Sequence, residues 1–399
     1  MTRRQEDFDE FCDPDNPTII KYEEITAAAS RIKPHNITTP MIPSHYQREF
    51  VMNLYYKLDF LQKTGSVKGR GALNALELLA PDKKKIGVVI SSVGNHAIAM
   101  SHYGAKLNIP VTAVLPNFVP IGKVQKIQNL GAKVIVHGNI YLEAQRYAKI
   151  LAREKGATYI NGRDHPHVLA GYGTVALEIL EQLPSVEAII VPVGGGGLVS
   201  AVAKVVKHLK PNCLVYGVQS EKMPVFFKSL EAGEPLTISL EPTLADVIGL
   251  PTIGTNAFYN AQPLLDKMLL VNEDWIARAI LHLIEKERFV VEGSGACPLA
   301  AIIGSLVPEL KTKTVVCLLS GGNIDTALLG RCLDRGMAAE GRLVKFRVEI
   351  KDNSKAKFAL LKLLGDGGYN IVRQHQDNVW VQGDVYTVSV SYLHKLKSL

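Results

Sequence analysis

The chain lacks most of the features that mark a secreted, metal-bound or membrane-inserted protein. Its five cysteines stand at positions 12, 213, 297, 317 and 332 of 399. None forms a Cys-x-x-Cys pair, so neither a zinc site nor a dithiol redox centre is indicated. An odd number at wide spacing fits a reducing compartment, where cysteine serves as a small apolar residue. No apolar run reaches membrane-spanning length. The opening stretch, MTRRQEDFDEFCDPDNP, has no apolar signal core and no Arg-rich, acid-poor transit character. A cytoplasmic location without a membrane partner is therefore expected. The net charge of +7 is mild for this length, and no basic cluster of the kind nucleic acid needs is present. The glycine-rich segments do not match Gly-x-Gly-x-x-Gly, nor does a Lys-Ser/Thr pair follow them, which argues against dinucleotide and P-loop nucleotide sites.

What is present is a long, apolar-rich chain. Hydrophobic residues make up 47% of it, enough for two or three domains. A flexible arm is expected over residues 1–17. The helical YEEITAAASRI and the strand-like NLYYKLDF come next, followed by the loop LQKTGSVKGRG and the helical ALNALELLA. From Lys85 short β-branched runs alternate with helical stretches: IGVVISS, VTAVLP, AKVIVHG, EAIIVPV, LVYGVQS and TVVCLLS. This pattern predicts parallel βαβ units and an α/β class of two doubly wound domains. After Gly341 the pattern changes to RLVKFRVEI, a glycine-ended helix SKAKFALLKLLGDGG, and two alternating runs, NIVRQHQDNVWVQG and DVYTVSVSY. That is a βαββ unit of its own over 342–399.

Four segments suit parts of one phosphorylated cofactor. In GSVKGRGA, glycines flank Lys68 and allow a ligand close approach to backbone; such a lysine can be desolvated and held neutral. In VGGGGL, Gly194, Gly195, Gly196, Gly197 and Leu198 follow a buried strand and open a helix, where backbone N–H groups bind phosphate. In LLSGGNID, Ser320 stands at the carboxyl end of a strand, where α/β ligands gather. In SSVGNHAIAM, Ser92, Asn95 and His96 form a carboxylate nest at a helix start.

In this order, the segments resemble the fold-type II (tryptophan synthase β-like) pyridoxal-phosphate family. They are most similar to its threonine and serine dehydratases and serine racemase, over about residues 20–335. The resemblance implies pyridoxal 5′-phosphate held as a Schiff base on Lys68. It further implies Asn95 at the ring hydroxyl, residues 194–198 at the phosphate and Ser320 at the pyridine nitrogen. It implies a large domain of residues 18–84 and 166–335 with a small domain, 85–165, inserted. The substrate class is then a small amino acid, L-threonine or L-serine. The reaction is an α,β-elimination to 2-oxobutanoate or pyruvate plus ammonia, and the assembly a homo-oligomer.

The C-terminal unit resembles the start of an ACT domain, shortened by its second helix and last strand. Racemases of this type carry a serine where this chain has Val93, which disfavours racemisation. Other departures are Val67 before the lysine, Val247 after Ala245-Asp246, and Tyr172 in place of a glutamine; they keep open a cofactor-binding protein of low activity or regulatory role. Gln219 replaces an acidic metal ligand, so no metal site is expected. Glu292 resembles a family glutamate near the ring, and Arg70 reads as structural.

Overall fold

In a computed structural model the described residues are 9–239, 241–377 and 386–395. Their strands, in chain order, are β1 (Met41–Pro43), β2 (Asn53–Lys57), β3 (Val88–Ser91), β4 (Val111–Leu115), β5 (Lys133–Val136), β6 (Thr158–Tyr159), β7 (Ala188–Pro192), β8 (Leu214–Ser220), β9 (Lys267–Val271), β10 (Thr314–Leu318), β11 (Leu343–Lys351), β12 (Asn370–Asp377) and β13 (Thr387–Lys395). They form three sheets. A six-stranded sheet runs β1-β2-β10-β7-β8-β9, parallel except for β1. A four-stranded sheet, β5-β4-β3-β6, is parallel throughout.

The reason lies in the strand sequences. β3, β4 and β7 read VVIS, VTAVL and AIIVP, and every residue in them is buried. Strands apolar on both faces need cover on both, which crossover helices supply. In β7, Ile189 and Val191 join one apolar core while Ala188 and Ile190 join another. The two cores are the two faces of one sheet, separated by the alternation of side chains along a strand. Helix Gly197–Leu209 shows the matching pattern, with Val199, Val202 and Val206 buried and His208 exposed.

Two helices approach each other closely beneath the lysine loop. A Cβ on Gly171 of helix Pro166–Gln182 would lie 2.5 Å from the Arg70 carbonyl oxygen of helix Lys68–Glu77. Arg70 fastens this crossing. Its guanidinium donates to both Asp59 oxygens, at 2.6 and 2.9 Å, and to both Glu178 oxygens, at 2.6 and 2.8 Å. Thr39 donates a further bond to Asp59, and Lys57 pairs with Glu178. A buried cation with two carboxylates and fixed donors is compensated, which is the condition for burying it.

Of the expected arm, residues 1–8 lie outside the described residues. From Asp9 the segment is docked rather than free. Cys12 is buried, the Phe11 ring lies 4.3 Å from the His165 ring, and the Phe11 carbonyl accepts from Asn256. The apolar pair Phe11 and Cys12 in an acidic stretch supplies the anchor. The C-terminal unit is the antiparallel sheet β11-β13-β12 with helix Ser354–Asp366 against it. Of the run NVWVQG, residues 378–383 lie outside the described residues.

Candidate active site

The carboxyl ends of β3, β7 and β10 open onto one pair of adjoining cavities. One contains Lys68, Asn95, Gly194, Gly195, Gly196, Gly197, Leu198 and Ser320 among its lining residues; the other contains Lys68, Ser92, Asn95 and His96. The residues of the four cofactor-binding segments thus meet in one place, although the strands that lead to them belong to two sheets.

The lysine loop is clasped to the turn after β10. Ser66 bridges Gly321 in an antiparallel pair, the Val67 N–H donates to the Ser320 carbonyl at 2.8 Å, and the Gly322 N–H donates to the Gly65 carbonyl at 3.0 Å. Lys68 begins the helix behind this clasp. Its Nζ stands 4.6 Å from the centre of the Tyr172 ring, and the Tyr172 hydroxyl is tied to the Gly162 carbonyl at 2.7 Å. Burial lowers the Lys68 amine from 10.5 to about 8, while the charge of Glu292 acts in the opposite sense. Tyr172, the departure from glutamine, therefore forms part of the apolar wall around the amine.

The glycine run caps helix Gly197–Leu209. The first N–H groups of a helix have no intrahelical acceptor and carry the positive end of its dipole. Gly196 takes φ +94°, and a Cβ there would lie 2.4 Å from Phe226. A Cβ on Gly197 would lie 2.5 Å from the Arg163 carbonyl oxygen. Side chains are thus excluded on the protein's side of the run, and its backbone faces the cavity.

On the opposite side, Asn95 opens helix Asn95–Lys106. Its amide donates to Glu292 Oε1 at 2.6 Å and accepts from Asn323 at 2.9 Å. Asn323 also donates to the Thr64 carbonyl. Ser294 gives Glu292 Oε1 a second bond, at 2.7 Å, while Oε2 is buried and has no partner. Burial, then the charge of Asp246, raises the Glu292 carboxyl from 4.5 to about 7, against the pull of Ser294, Lys123 and Asn95. Ser92 Oγ accepts from the N–H groups of Gly94 and Ala97, so its own hydrogen is left to donate. His96 Nε2 donates to the Ile160 carbonyl at 3.3 Å, and burial holds the ring down at about 3. The imidazole is neutral at ordinary pH, with Nδ1 as an acceptor; it offers no charge to a carboxylate.

The sequence reading missed Arg163 and the bridging role of Asn323. Arg163 lines both cavities. Its signal is a lone arginine in NGRDHP. Gln219, expected to leave no cation site, accepts from the N–H groups of Phe226 and Phe227 and so caps a helix. Among the described residues no cluster of three or more metal-ligating side chains occurs.

The residues fit a phosphorylated pyridine aldehyde. The glycine cradle has no room for a Cβ, the Lys68 amine loses its proton readily, and Ser66 Oγ and Glu292 Oε2 are buried without protein partners, a state that a bound ligand relieves.

Comparison with known proteins agrees. Residues 32–321 match a family described as pyridoxal-phosphate dependent enzyme. An L-threonine ammonia-lyase of Thermotoga maritima is 41% identical over 319 residues, covering 80% of this chain and 79% of its own. The processed form of threonine deaminase isoform 2 from Solanum lycopersicum superposes with a TM-score of 0.74 at 31% identity, over 80% of this chain and 95% of that one. Maize serine racemase gives 0.75 at 29%, over 81% and 100%.

Proposed function

The chain belongs to the pyridoxal-phosphate-dependent enzyme family, and we propose that it is an L-threonine ammonia-lyase that also accepts L-serine. The observation that carries this reading is the desolvated Lys68 amine placed between the glycine cradle and the Ser92–Asn95 nest. Lys68 is the residue that would hold the cofactor's aldehyde carbon. The N–H groups of residues 194–198 would take its phosphate, Asn95 its ring hydroxyl and Ser320 its ring nitrogen. When bound, the cofactor supplies an electron-withdrawing ring for the pair left by the broken Cα–H bond.

The protein's own residues do the rest. Ser92 and the N–H groups beginning helix Asn95–Lys106 hold the substrate carboxylate. Lys68, with its amine lowered to about 8, takes the α-proton close to neutral pH. The β-hydroxyl leaves as water, and the released enamine hydrolyses to 2-oxobutanoate or pyruvate and ammonia. Ser320 offers a neutral hydroxyl, which does not force a proton onto the ring nitrogen and so favours elimination over transamination. His96, neutral and tied to Ile160, shapes the nest rather than acting as an acid.

Val93 lines the substrate cavity and has no proton to give, which weighs against racemisation. Val67 contributes its backbone N–H to the clasp, a contact that any residue other than proline could make. That favours an active enzyme over a silent cofactor-binding protein. The five cysteines are buried and free of disulfides, in keeping with a cytoplasmic enzyme. The exposed Phe358 and Leu363 on the C-terminal helix are in keeping with a homo-oligomer.

The test is a keto-acid assay on the purified holoenzyme. L-Threonine should yield 2-oxobutanoate and L-serine pyruvate; no keto acid from either removes the reading, and D-serine from L-serine replaces it with racemisation.

A further inference from the structure

The segment Asp9–Cys12 lies outside the cavity, yet it docks on the back of a turn whose front meets the carboxylate nest. That turn, residues 160–165, joins β6 to helix Pro166–Gln182. On its inner face Gly162 packs so closely on the His96 ring that no Cβ would fit between them. The Ile160 carbonyl, at the start of the turn, accepts from His96. His96 shapes the nest, so the turn forms the nest's rear support.

The outer face of the turn carries the N-terminal segment. The Phe11 ring stands 4.3 Å from the His165 ring and 6.3 Å from that of His167. Asn256, on helix Thr255–Ala261, donates to the carbonyls of Phe11 and Asp164, at 2.8 and 3.0 Å, and accepts from the Thr18 N–H at 2.7 Å. One buried side chain thus pins the segment at two points and the turn at a third. Asp9, 8% exposed, lines a surface recess together with Tyr159. The Tyr159 and Ser91 hydroxyls share a hydrogen bond of 2.9 Å, and Ser91 directly precedes Ser92, the hydroxyl of the nest. The segment therefore reaches the nest by two routes: through His165 and the turn to His96, and through Tyr159 to Ser91. In a close-packed interior such contacts pass displacement on rather than absorb it.

We propose that Asp9–Cys12 is a positioning segment for the carboxylate nest, with Phe11 as its principal positioning residue. The inference rests on the ammonia-lyase reading above, which places the substrate carboxylate at Ser92 and the start of helix Asn95–Lys106. Phe11 touches neither the cofactor's cradle nor the cavity. It acts by holding the turn against His96, and so fixes where the nest stands relative to Lys68. A bound group held by supporting contacts of this kind loses affinity when the support is cut, although every residue that touches it remains. The expected signature is weaker carboxylate binding with the chemical step retained.

The experiment compares the holoenzymes of the wild type, Phe11→Ala and Phe11→Tyr. Two quantities are measured: kcat and KM for L-threonine, and the Kd of propionate, a bare carboxylate, read from the cofactor's visible band. In Phe11→Ala both KM and the propionate Kd should rise about fivefold, the scale of one lost aromatic pair, with kcat within about twofold of the wild type. Phe11→Tyr keeps the ring and should restore both. Should the alanine variant lose the cofactor band, Phe11→Leu carries the same comparison. An unchanged KM and propionate Kd overturns the proposal, and so does a fall in kcat alone. A tyrosine variant as impaired as the alanine one overturns it too. Keto acid with an unchanged KM defeats this inference alone. No keto acid from the wild type defeats the ammonia-lyase reading, and the propionate Kd then still decides whether Phe11 supports the nest.

Discussion

The N–H of Val67 donates to the carbonyl of Ser320 at 2.8 Å, so the residue before the lysine and the serine at the far end of the cavity are parts of one backbone ladder. Geometry at Lys68 is thereby set by the β10 turn, not by the side chain at 67. The backbone separation of residues 68 and 320 is held by this ladder, which is the kind of support a functional constellation needs.

Cofactor loading should follow the Lys68 proton. The amine is lowered to about 8, so it is protonated below that pH and free to attack an aldehyde above it. The rate at which cofactor-free protein regains its visible absorption band should climb with pH and level off above about 8. A climb continuing toward 10.5 would show an amine that is not desolvated. Lys68→Ala should give neither the band nor turnover.

Glu292 makes the opposite prediction, for stability. Its carboxyl is raised from 4.5 to about 7, so the folded state holds its proton over a range in which the unfolded chain has lost it. That contribution is complete below 4.5 and disappears as pH rises through 7. In Glu292→Gln it is absent throughout. The wild-type-minus-variant difference in urea unfolding of the cofactor-free protein should therefore fall across this interval, by roughly 3 kcal/mol at most. A flat difference would mean that the carboxyl ionises as freely folded as unfolded.

Gly196→Ala should weaken cofactor binding more than it weakens the fold. The new Cβ meets Phe226 and forces an alanine into φ +94°. Such overpacking and backbone strain cost about 1–3 kcal/mol, and every ~1.4 kcal/mol felt at the cradle is tenfold in affinity. Titration of the cofactor-free protein with pyridoxal phosphate should show at least about a tenfold weaker Kd. Unchanged affinity would remove the cradle from the phosphate site.

Arg70→Met should be costly at neutral pH and less so in acid. The substitution leaves Asp59 buried without its cation, a loss of about 3–5 kcal/mol. In the wild type Arg70 and the hydrogen bonds it donates hold the Asp59 carboxyl below its usual value against burial. That stabilisation is present above the ordinary carboxylate range and is lost as pH falls. The deficit of the variant in urea unfolding should shrink on acidification; a pH-independent deficit would point to lost packing alone.

Much of this was legible in the residues. The βα alternation was, because a parallel strand buried on both faces must be apolar throughout, as AIIVP is. Helix Tyr22–Ile32 was, because its buried Ile25, Ala28 and Ile32 recur at helical spacing. The glycine run, Lys68, Asn95 and Ser320 were, because each sits at a strand-to-helix junction. Glu292 was marked only by its resemblance to a family glutamate, because nothing in VEGSGA itself distinguishes an exposed loop from one folded under Asn95 and Ser294. Arg163 was not, because its meaning depends on which wall its guanidinium reaches. The docking of Phe11 on His165 pairs distant segments, and no local pattern announces such a contact.

Asn323 ties its side chain to the Thr64 carbonyl across 259 residues. On a ribosome adding about 5–20 residues per second, the lysine emerges long before the turn that clasps it. Until that turn arrives, residue 68 is one more lysine on a nascent chain, with no cradle and no desolvated amine. Acquisition of the cofactor therefore belongs to the end of synthesis, and a chain that stops short of the β10 turn leaves the aldehyde nothing to distinguish this lysine from the others.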